Sequence, residues 1–290
     1  MRKFILLAVS VLFFANICLA QDGSDSTKNE KKHSFAITGG YGKARKKDSV
    51  IKRYSFGFNY GTGFPFGNFH MGDQSKYPIS RLNGKDTGHL GGYGQSGFHF
   101  EYYFAYRVYK CISIMASLSG NDIGYNINEV NAQYIQFFAP NTTVVTSGDS
   151  YYILQYLIGP DAELRIGKYF KIEAKALIGL MSANYPTLSY SGLPNGLPTA
   201  LYSFPQGSGF SYNLGTGIKY IAAEGPVAVH VDVAYAGSTV NFSSYSMALY
   251  TPPTNNPATS NNYISSAVYN TPKSLSVSMF QFTLGLSVEL

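Results

Sequence analysis

Residues 277–290 read VSMFQFTLGLSVEL, and this stretch decides the fold. From Phe280 to Leu290 every second residue is Phe, Leu or Val, and the residues between them are Gln, Thr, Gly, Ser and Glu. Successive side chains of a β-strand point to opposite faces. The stretch therefore predicts a strand with one strongly apolar face and one polar face, and the polar face carries a single charge at Glu289.

Seven further segments of the chain alternate in the same way. They are residues 54–62, 97–107, 111–120, 151–166, 170–180, 209–221 and 227–236. Each reaches or approaches the roughly 9–11 residues that a tilted strand needs to cross a bilayer. Eight is also an even number, as in bacterial single-chain membrane barrels. The pattern predicts an all-β protein, an eight-stranded antiparallel up-and-down transmembrane β-barrel.

The charged residues of these segments all fall on the less apolar face. Five are positive and six are negative: Glu101, Arg107, Asp161, Glu163, Arg165, Lys171, Glu173, Lys175, Lys219, Asp232 and Glu289. This near balance is expected where charges neutralise one another in a confined space. In hydrocarbon every backbone polar group must pair internally, so strands span a membrane only as a closed barrel. We predict that these charges form a network in the lumen and that the apolar face meets lipid.

Short and long connections alternate along the chain. The short ones lie near residues 108–110, 167–169 and 222–226, and the long ones cover residues 63–96, 121–150, 181–208 and 237–276. Outer-membrane barrels have short periplasmic turns and long extracellular loops. We expect the same orientation here, with both chain ends in the periplasm and an aromatic band at the periplasmic rim that includes Tyr54, Tyr106, Tyr109, Tyr169, Phe170 and Tyr220.

Composition disfavours two other classes of protein. Only 13% of the 290 residues are charged, about half the usual share in soluble domains, which disfavours a typical cytosolic enzyme. The mean hydropathy of −0.06 disfavours a bundle of transmembrane helices, because each such helix needs about 20 apolar residues.

The N-terminal region is predicted to lie outside the barrel. Residues 1–20 combine a basic start, an apolar run and small residues before a cleavage point after Ala20, which predicts a signal peptide. Residues 21–53 contain nine basic and four acidic residues and are expected to form a basic periplasmic tether. The barrel, residues 54–290, has 11 basic and 12 acidic residues, so no nucleic-acid partner is expected. Residues 33–42 either add a strand or enter the lumen as a plug, and the sequence leaves both open.

The signal ending at Ala20 before Gln21, the eight alternating segments and the aromatic-rich last strand resemble the small outer-membrane β-barrel family. This is the OmpA/OmpX-like superfamily, and the resemblance is greatest to its PorT-like members. It covers residues 54–290, although this chain ends in Leu290 rather than the common Phe and has longer loops. The resemblance implies export across the inner membrane of a Gram-negative cell and insertion by the barrel-assembly machinery. PorT-like members are also associated with a protein-secretion system.

Three functions are compatible with such a barrel. The interior of eight strands is just wide enough for its own side chains, so we interpret the charges as a packed network of ion pairs. This predicts a non-enzymatic structural or binding role, including that of an accessory subunit of an envelope or protein-secretion complex. The first alternative is a small porin-like channel lined by the same charges. The second is a lipid-modifying enzyme that uses His99 with Glu101 or His230 with Asp232, but no spacing identifies a catalytic serine.

The expected ligands and partners follow from this interpretation. No catalytic residue, cofactor site or metal site is predicted, because the five histidines are scattered along the chain. The expected partners are outer-membrane lipid, the barrel-assembly machinery during biogenesis, and proteins of an envelope or secretion complex. Residues 237–276 are rich in Ser, Thr, Asn, Tyr and Pro and contain one charge, at Lys273. Such a loop suits contact with a glycan or a protein, and equally a mobile segment.

Overall fold

A computed structural model describes residues 53–70, 89–138, 143–146, 150–167, 169–191, 199–221, 225–250 and 263–290. The predicted signal peptide, residues 33–42 and all of the tether except Arg53 lie outside these ranges. Their roles stay predictions.

The chain contains thirteen strands and one α-helix in the part that the structure describes. In order they are β1 (Tyr54–Pro65), a 3₁₀ turn (Gly67–Phe69), β2 (Gly94–Tyr109), β3 (Ile112–Tyr125), α1 (Ile127–Phe138), β4 (Thr143–Thr146), β5 (Ser150–Ile166), β6 (Phe170–Asn184), β7 (Leu188–Ser191), β8 (Thr199–Ser203), β9 (Gly207–Ile221), β10 (Val227–Phe242), β11 (Tyr245–Tyr250), β12 (Tyr263–Tyr269) and β13 (Lys273–Glu289).

Eight of these strands form a closed barrel in the order β1-β13-β10-β9-β6-β5-β3-β2. Each barrel strand pairs antiparallel with the barrel strands before and after it in the chain, and β1 pairs with β13 to close the ring. The predicted eight-stranded antiparallel up-and-down barrel is confirmed. Closure matters physically because it removes the free sheet edges that would otherwise leave backbone groups unpaired.

The barrel is apolar outside and polar inside over most of its length. At the centre of the pairing between β10 and β13, Val231 lies opposite Leu284, and both side chains point outward. The neighbouring inward positions hold Asp232 opposite Thr283, and both are buried. Aromatic residues gather at the rim next to the short turns, where the rings of Tyr54 and Tyr106 lie 5.3 Å apart.

The polarity of the two faces reverses where the strands continue past the apolar band. In β13 the outward residues change from Phe280 and Phe282 to Ser278 and Ser276, while Val277 turns inward and is buried. β10 changes in the same way, because Val240 is buried and Thr239 is exposed. This end of the barrel therefore has a polar outside and an apolar inside, as a water-soluble barrel does.

The long connections contain a second sheet and the helix. Five short strands form this sheet in the order β12-β11-β8-β7-β4, and α1 lies beside β4. α1 begins with reciprocal capping, since Glu129 N donates to Asn126 Oδ1 at 3.2 Å and Asn126 Nδ2 donates to Glu129 Oε2 at 3.1 Å. The ranges expected as loops are thus partly regular structure. Within the described ranges, no helix is long and apolar enough to cross a membrane.

Candidate functional site in the barrel interior

The interior next to the short turns is built around the carboxylate of Glu163 on β5. Arg107 Nη2 donates to Glu163 Oε2 at 2.6 Å, and Lys219 Nζ donates to Oε1 at 2.7 Å. Lys171 Nζ lies 3.1 Å from Oε2. The three cations come from β2, β9 and β6, so one carboxylate connects four strands across the lumen.

Two of these cations extend the network. Lys171 pairs with Glu289 on the last strand, and Lys219 Nζ lies 2.6 Å from Glu173 Oε2. The ammonium of Lys219 also lies 5.6 Å from the centre of the Tyr103 ring, within cation–π range. Buried charge is costly unless it is paired in this way. The network therefore requires the strands to keep their relative register.

A second group of polar side chains surrounds Glu101 on β2. Lys175 Nζ and Asn59 Nδ2 donate to Glu101 Oε2 at 2.8 and 2.7 Å. Ser117 Oγ donates to the other oxygen at 2.6 Å. Glu101 and these three partners are all buried, and each carboxylate oxygen of Glu101 accepts at least one hydrogen bond.

The two His–acid pairs that the sequence singled out do not form a catalytic arrangement. His230 Nε2 lies 3.6 Å from Asp232 Oδ2 and is hydrogen-bonded to a neighbouring asparagine. The His99 ring bonds to Asn121 Oδ1 at 2.8 Å instead of to Glu101. In the described part of the interior, no serine hydroxyl is hydrogen-bonded to either histidine.

Neutral side chains form the middle layer of the interior. Gln281 accepts a hydrogen bond from Asn213 Nδ2 at 2.9 Å and donates to Asn121 Oδ1 at 3.2 Å. Gln155 donates to Ser211 Oγ at 2.8 Å. These amides connect the barrel walls directly, and they separate the charged layer from the apolar end.

The end of the interior next to the long connections is apolar and filled. Its buried side chains come from five barrel strands and from the connecting segments: Phe69, Leu90, Tyr93, Ile123, Tyr125, Val130, Tyr151, Ile153, Met181, Ala183, Tyr185, Leu188, Ala236, Val240, Phe242, Leu275, Val277 and Met279. Four of the tyrosine rings pack against one another, with ring centres 5.4–5.9 Å apart for successive contacts. Among the described residues, this packed apolar layer lies between the polar side chains of the lumen and the long connections.

Residues 89–93 cover this apolar layer, and we call them the lid. Tyr151 Oη donates to the carbonyl oxygen of Gly92, and Tyr185 Oη donates to that of Gly91 at 3.1 Å. Gly92 is needed for close packing, because a Cβ there would lie 2.3 Å from the backbone oxygen of Phe69. The lid is therefore held by side chains that rise from the barrel itself.

Ten of the eleven residues predicted for the lumen network point into the interior, and Arg165 is the exception. Its side chain is exposed at the rim, and its Nε donates to the Gly167 carbonyl at 3.3 Å. Arg165 has the same strand parity as Glu163, but β5 ends at Ile166, one residue later. The guanidinium therefore reaches water, and the free-energy cost of burying its charge is avoided. The described interior then holds six carboxylates and four cations of that set.

Sequence reasoning missed two features near the long connections. One is the apolar layer, which the reversed alternation in residues 273–279 could have indicated. The other is a hydrogen bond between His89 Nδ1 and Ser274 Oγ at 2.7 Å on the outer surface. In the described part of the chain, no carboxylate contacts His89, so the third member of a hydrolase triad is not seen there. Nor do the described residues contain a group of three or more ligands that could hold a metal ion.

Comparisons with known proteins give a distant similarity of fold. No model of a protein family matches the sequence, and no curated protein matches it either. Among solved structures, Neisserial surface protein A is similar over 82% of this chain and 96% of its own, at 12% identity and a TM-score of 0.37. The outer membrane protein OprG from Pseudomonas aeruginosa matches over 82% of this chain and 98% of its own, at 13% identity and a TM-score of 0.37.

A third similar structure is an enzyme. The outer membrane protease OmpT from Escherichia coli matches over 68% of this chain and 65% of its own, at 12% identity and a TM-score of 0.39. At such identities and scores, the similarities decide nothing about function. The fold stands on the strand pairing of this chain, and the resemblance to PorT-like proteins stays a prediction.

Proposed function

We propose that this chain is an outer-membrane β-barrel of a Gram-negative bacterium with a non-enzymatic structural or binding role. The observation that carries the proposal is the apolar belt around a sealed, charged interior. Val231, Leu284 and Leu286 are 57%, 60% and 57% exposed at the centre of the barrel wall. A belt of this extent in water would be an aggregation hazard, whereas hydrocarbon solvates it.

Two features of the barrel ends support an orientation in the membrane. The rim with short turns has the aromatic band expected at a membrane interface, and the opposite end has long, folded connections. We place the short turns and both chain ends in the periplasm and the second sheet outside the cell. This agrees with the predicted signal peptide and with a periplasmic tether at residues 21–53.

The second sheet supports a binding role. None of the residues in its five strands is charged, and the strands are rich in Ser, Thr and Tyr. It rests on the sealed end of the barrel, since Tyr202 and Leu249 pack against the apolar layer. Rigid scaffolds commonly present their binding surfaces in this way. The partner class that we propose is another envelope protein, such as a component of a secretion complex that uses this barrel as an accessory subunit.

The filled interior favours a scaffold over a channel. The charged layer is closed by ion pairs around Glu163, and the apolar layer and lid close the other end. Ions would have to cross packed aromatic side chains. The interior is therefore expected to stabilise the barrel rather than to conduct.

Reconstitution into lipid bilayers tests the proposal. The refolded barrel is expected to insert, to resist protease along its strands, and to leave the bilayer conductance at the lipid baseline. A steady conductance that Lys175→Gln changes would favour the channel. A chain that stays soluble and monomeric without lipid or detergent would refute the membrane siting. Extraction in mild detergent, followed by identification of proteins that co-purify, tests the accessory role.

A further inference from the structure

A groove of about 590 Å³ lies on the outer surface of the barrel, where the apolar band ends. Small residues of β10 and β13 form its floor. The cross-strand pairs Gly237–Ser278 and Thr239–Ser276 place these four residues side by side. Ser276, Ser278 and Thr239 are recessed below the large side chains on both sides, whereas the ring of Tyr212 lies over Gly237, where a Cβ would be 2.5 Å from Tyr212 Oη.

Aromatic residues form the walls of this groove. Phe210 and Tyr212 stand on β9, and Phe66 stands on the other side, where its backbone N donates to the Ser278 carbonyl at 2.8 Å. Tyr235 closes the lower end, with its ring centre 6.0 Å from that of Tyr212. Three interstrand spacings separate β9 from β1, so the backbones of these two strands lie about 14 Å apart, and the aromatic side chains narrow the groove between them.

The polar groups that the structure describes in the groove are neutral. Asn68, Thr239 and Asn241 are exposed at the upper end of the lining, and Ser276 lies beside them. Among the described residues that line the groove, none is Lys, Arg, Asp or Glu. A phosphate group would be bound best by Arg or Lys, which form charge-assisted hydrogen bonds. Flat aromatic faces next to amide and hydroxyl groups instead match the C–H faces and hydroxyl groups of a sugar.

We propose that this groove binds the uncharged sugar head group of a membrane glycolipid. The sugar would lie on the Ser and Thr floor between Phe66 and Tyr212, and the acyl chains would descend over Tyr235 and the apolar belt. The position of the groove along the barrel supports this occupant, because the groove begins at the last aromatic ring of the apolar belt and ends among polar residues. The inference rests on the proposed membrane siting.

Native mass spectrometry of the barrel in mixed micelles tests this site. The micelles contain equal amounts of digalactosyl diacylglycerol and phosphatidylglycerol with the same acyl chains. The barrel is expected to retain the glycolipid about tenfold more than the phospholipid. Ser276→Phe fills the groove and is expected to lower glycolipid retention about tenfold. Asn241→Ala removes an amide and is expected to lower it severalfold.

Matched controls lie at outward positions of the barrel that do not line the groove. Ser150→Phe on the outer face of β5 and Asn184→Ala on β6 make the same chemical changes at strand ends outside the groove. They are expected to leave retention within twofold of the unmodified barrel. Equal retention of both lipids, a preference for phosphatidylglycerol, or equal losses in the control variants would overturn the sugar site. A chain that binds neither lipid and stays soluble without detergent would refute the membrane siting itself.

Discussion

Glu163 pairs with three cations from three other strands, so its replacement tests how the barrel carries buried charge. Glu163→Gln removes the carboxylate that Arg107, Lys171 and Lys219 share, so Lys171 keeps only Glu289 and Lys219 only Glu173 as ion-pair partners. Breaking a buried ion pair from one side typically costs about 3–5 kcal/mol. We expect a loss of that size in the free energy of unfolding in detergent micelles. Urea titration followed by circular dichroism measures it, because the chain has no Trp for fluorescence.

Arg165 provides the matched control for this change, since it lies two residues further along β5 and its side chain is exposed. Arg165→Gln removes one charge without leaving a buried one unpaired. Exposed substitutions usually change the free energy of unfolding by less than about 0.5 kcal/mol. Similar losses in both variants would mean that the network around Glu163 has no special role in stability.

Strand parity was sufficient to place ten of the eleven charged residues, because alternation assigns every residue of a strand to one face. Strand parity gave the wrong position for Arg165. The last residues of a strand still alternate between the two faces, but they lie beyond the packed interior of the barrel. The partners of Glu163 were beyond prediction for another reason. The pairing of lysines with carboxylates depends on the register and stagger of all eight strands. Neither quantity can be predicted from the sequence of one strand alone.

The lid depends on two tyrosine hydroxyl groups, and their removal is expected to loosen it. Tyr151→Phe and Tyr185→Phe together delete the hydrogen bonds to Gly92 and Gly91 while keeping the rings. Each lost bond costs about 1 kcal/mol. Hydrogen exchange at the amide of Leu90, which bonds to the Ser274 carbonyl, is expected to rise about tenfold.

Tyr152→Phe is the control for the lid, because Tyr152 is the next residue of β5 and its side chain points outward. It removes one hydroxyl group from the same strand without touching residues 89–93. Exchange at Leu90 is expected to match that of the unmodified protein. Faster exchange in this variant too would show a general effect on β5, and the lid would then not depend on the two buried hydroxyl groups.

Alkaline pH tests the same lid through Tyr185, which lies between β6 and β7. Burial raises the pKa of Tyr185 from its ordinary value of 10.0 to about 12. Because the folded pKa is the higher one, the contribution to stability is complete below pH 10 and is lost as the pH rises through about 12. The urea midpoint is expected to fall over that interval, and less steeply in Tyr185→Phe. An identical pH dependence in both proteins would contradict this role of Tyr185.

The strands of the barrel were predictable, whereas the folded connections were not. In β13 the apolar residues occupy even positions from Phe280 onward and odd positions from Leu275 to Met279, and this change of phase marks where the barrel leaves the apolar band. The signal is in the sequence, but it spans only a few residues. The second sheet gives a weaker signal, because its strands have four to seven residues and lack strict alternation.

The molecule as a whole is one barrel whose two ends have opposite polarity, inside and outside. Around the short turns, charge is inside and the apolar belt is outside, which suits hydrocarbon. Around the long connections, the apolar layer is inside and Ser, Thr and Asn are outside, which suits water. An apolar outer belt is unfavourable for a protein surrounded by water, and a polar outer surface is unfavourable for a barrel surrounded by lipid along its whole length. With the membrane siting proposed above, the boundary between them marks the height of the membrane surface along each strand.

A lysine placed on the belt is the sharpest test of that boundary. Leu284, on the outer face of β13, is 60% exposed, and Leu290, the residue directly after β13, is 61% exposed, so they differ in height and not in exposure. In a bilayer, a lysine on the lipid face costs about 2–4 kcal/mol near the midplane and about 0–1 near the interface. We expect Leu284→Lys to lower the free energy of unfolding in lipid vesicles by the larger amount and Leu290→Lys by the smaller. If the belt faced water, both changes would be close to neutral and would not differ, because both side chains would already be solvated.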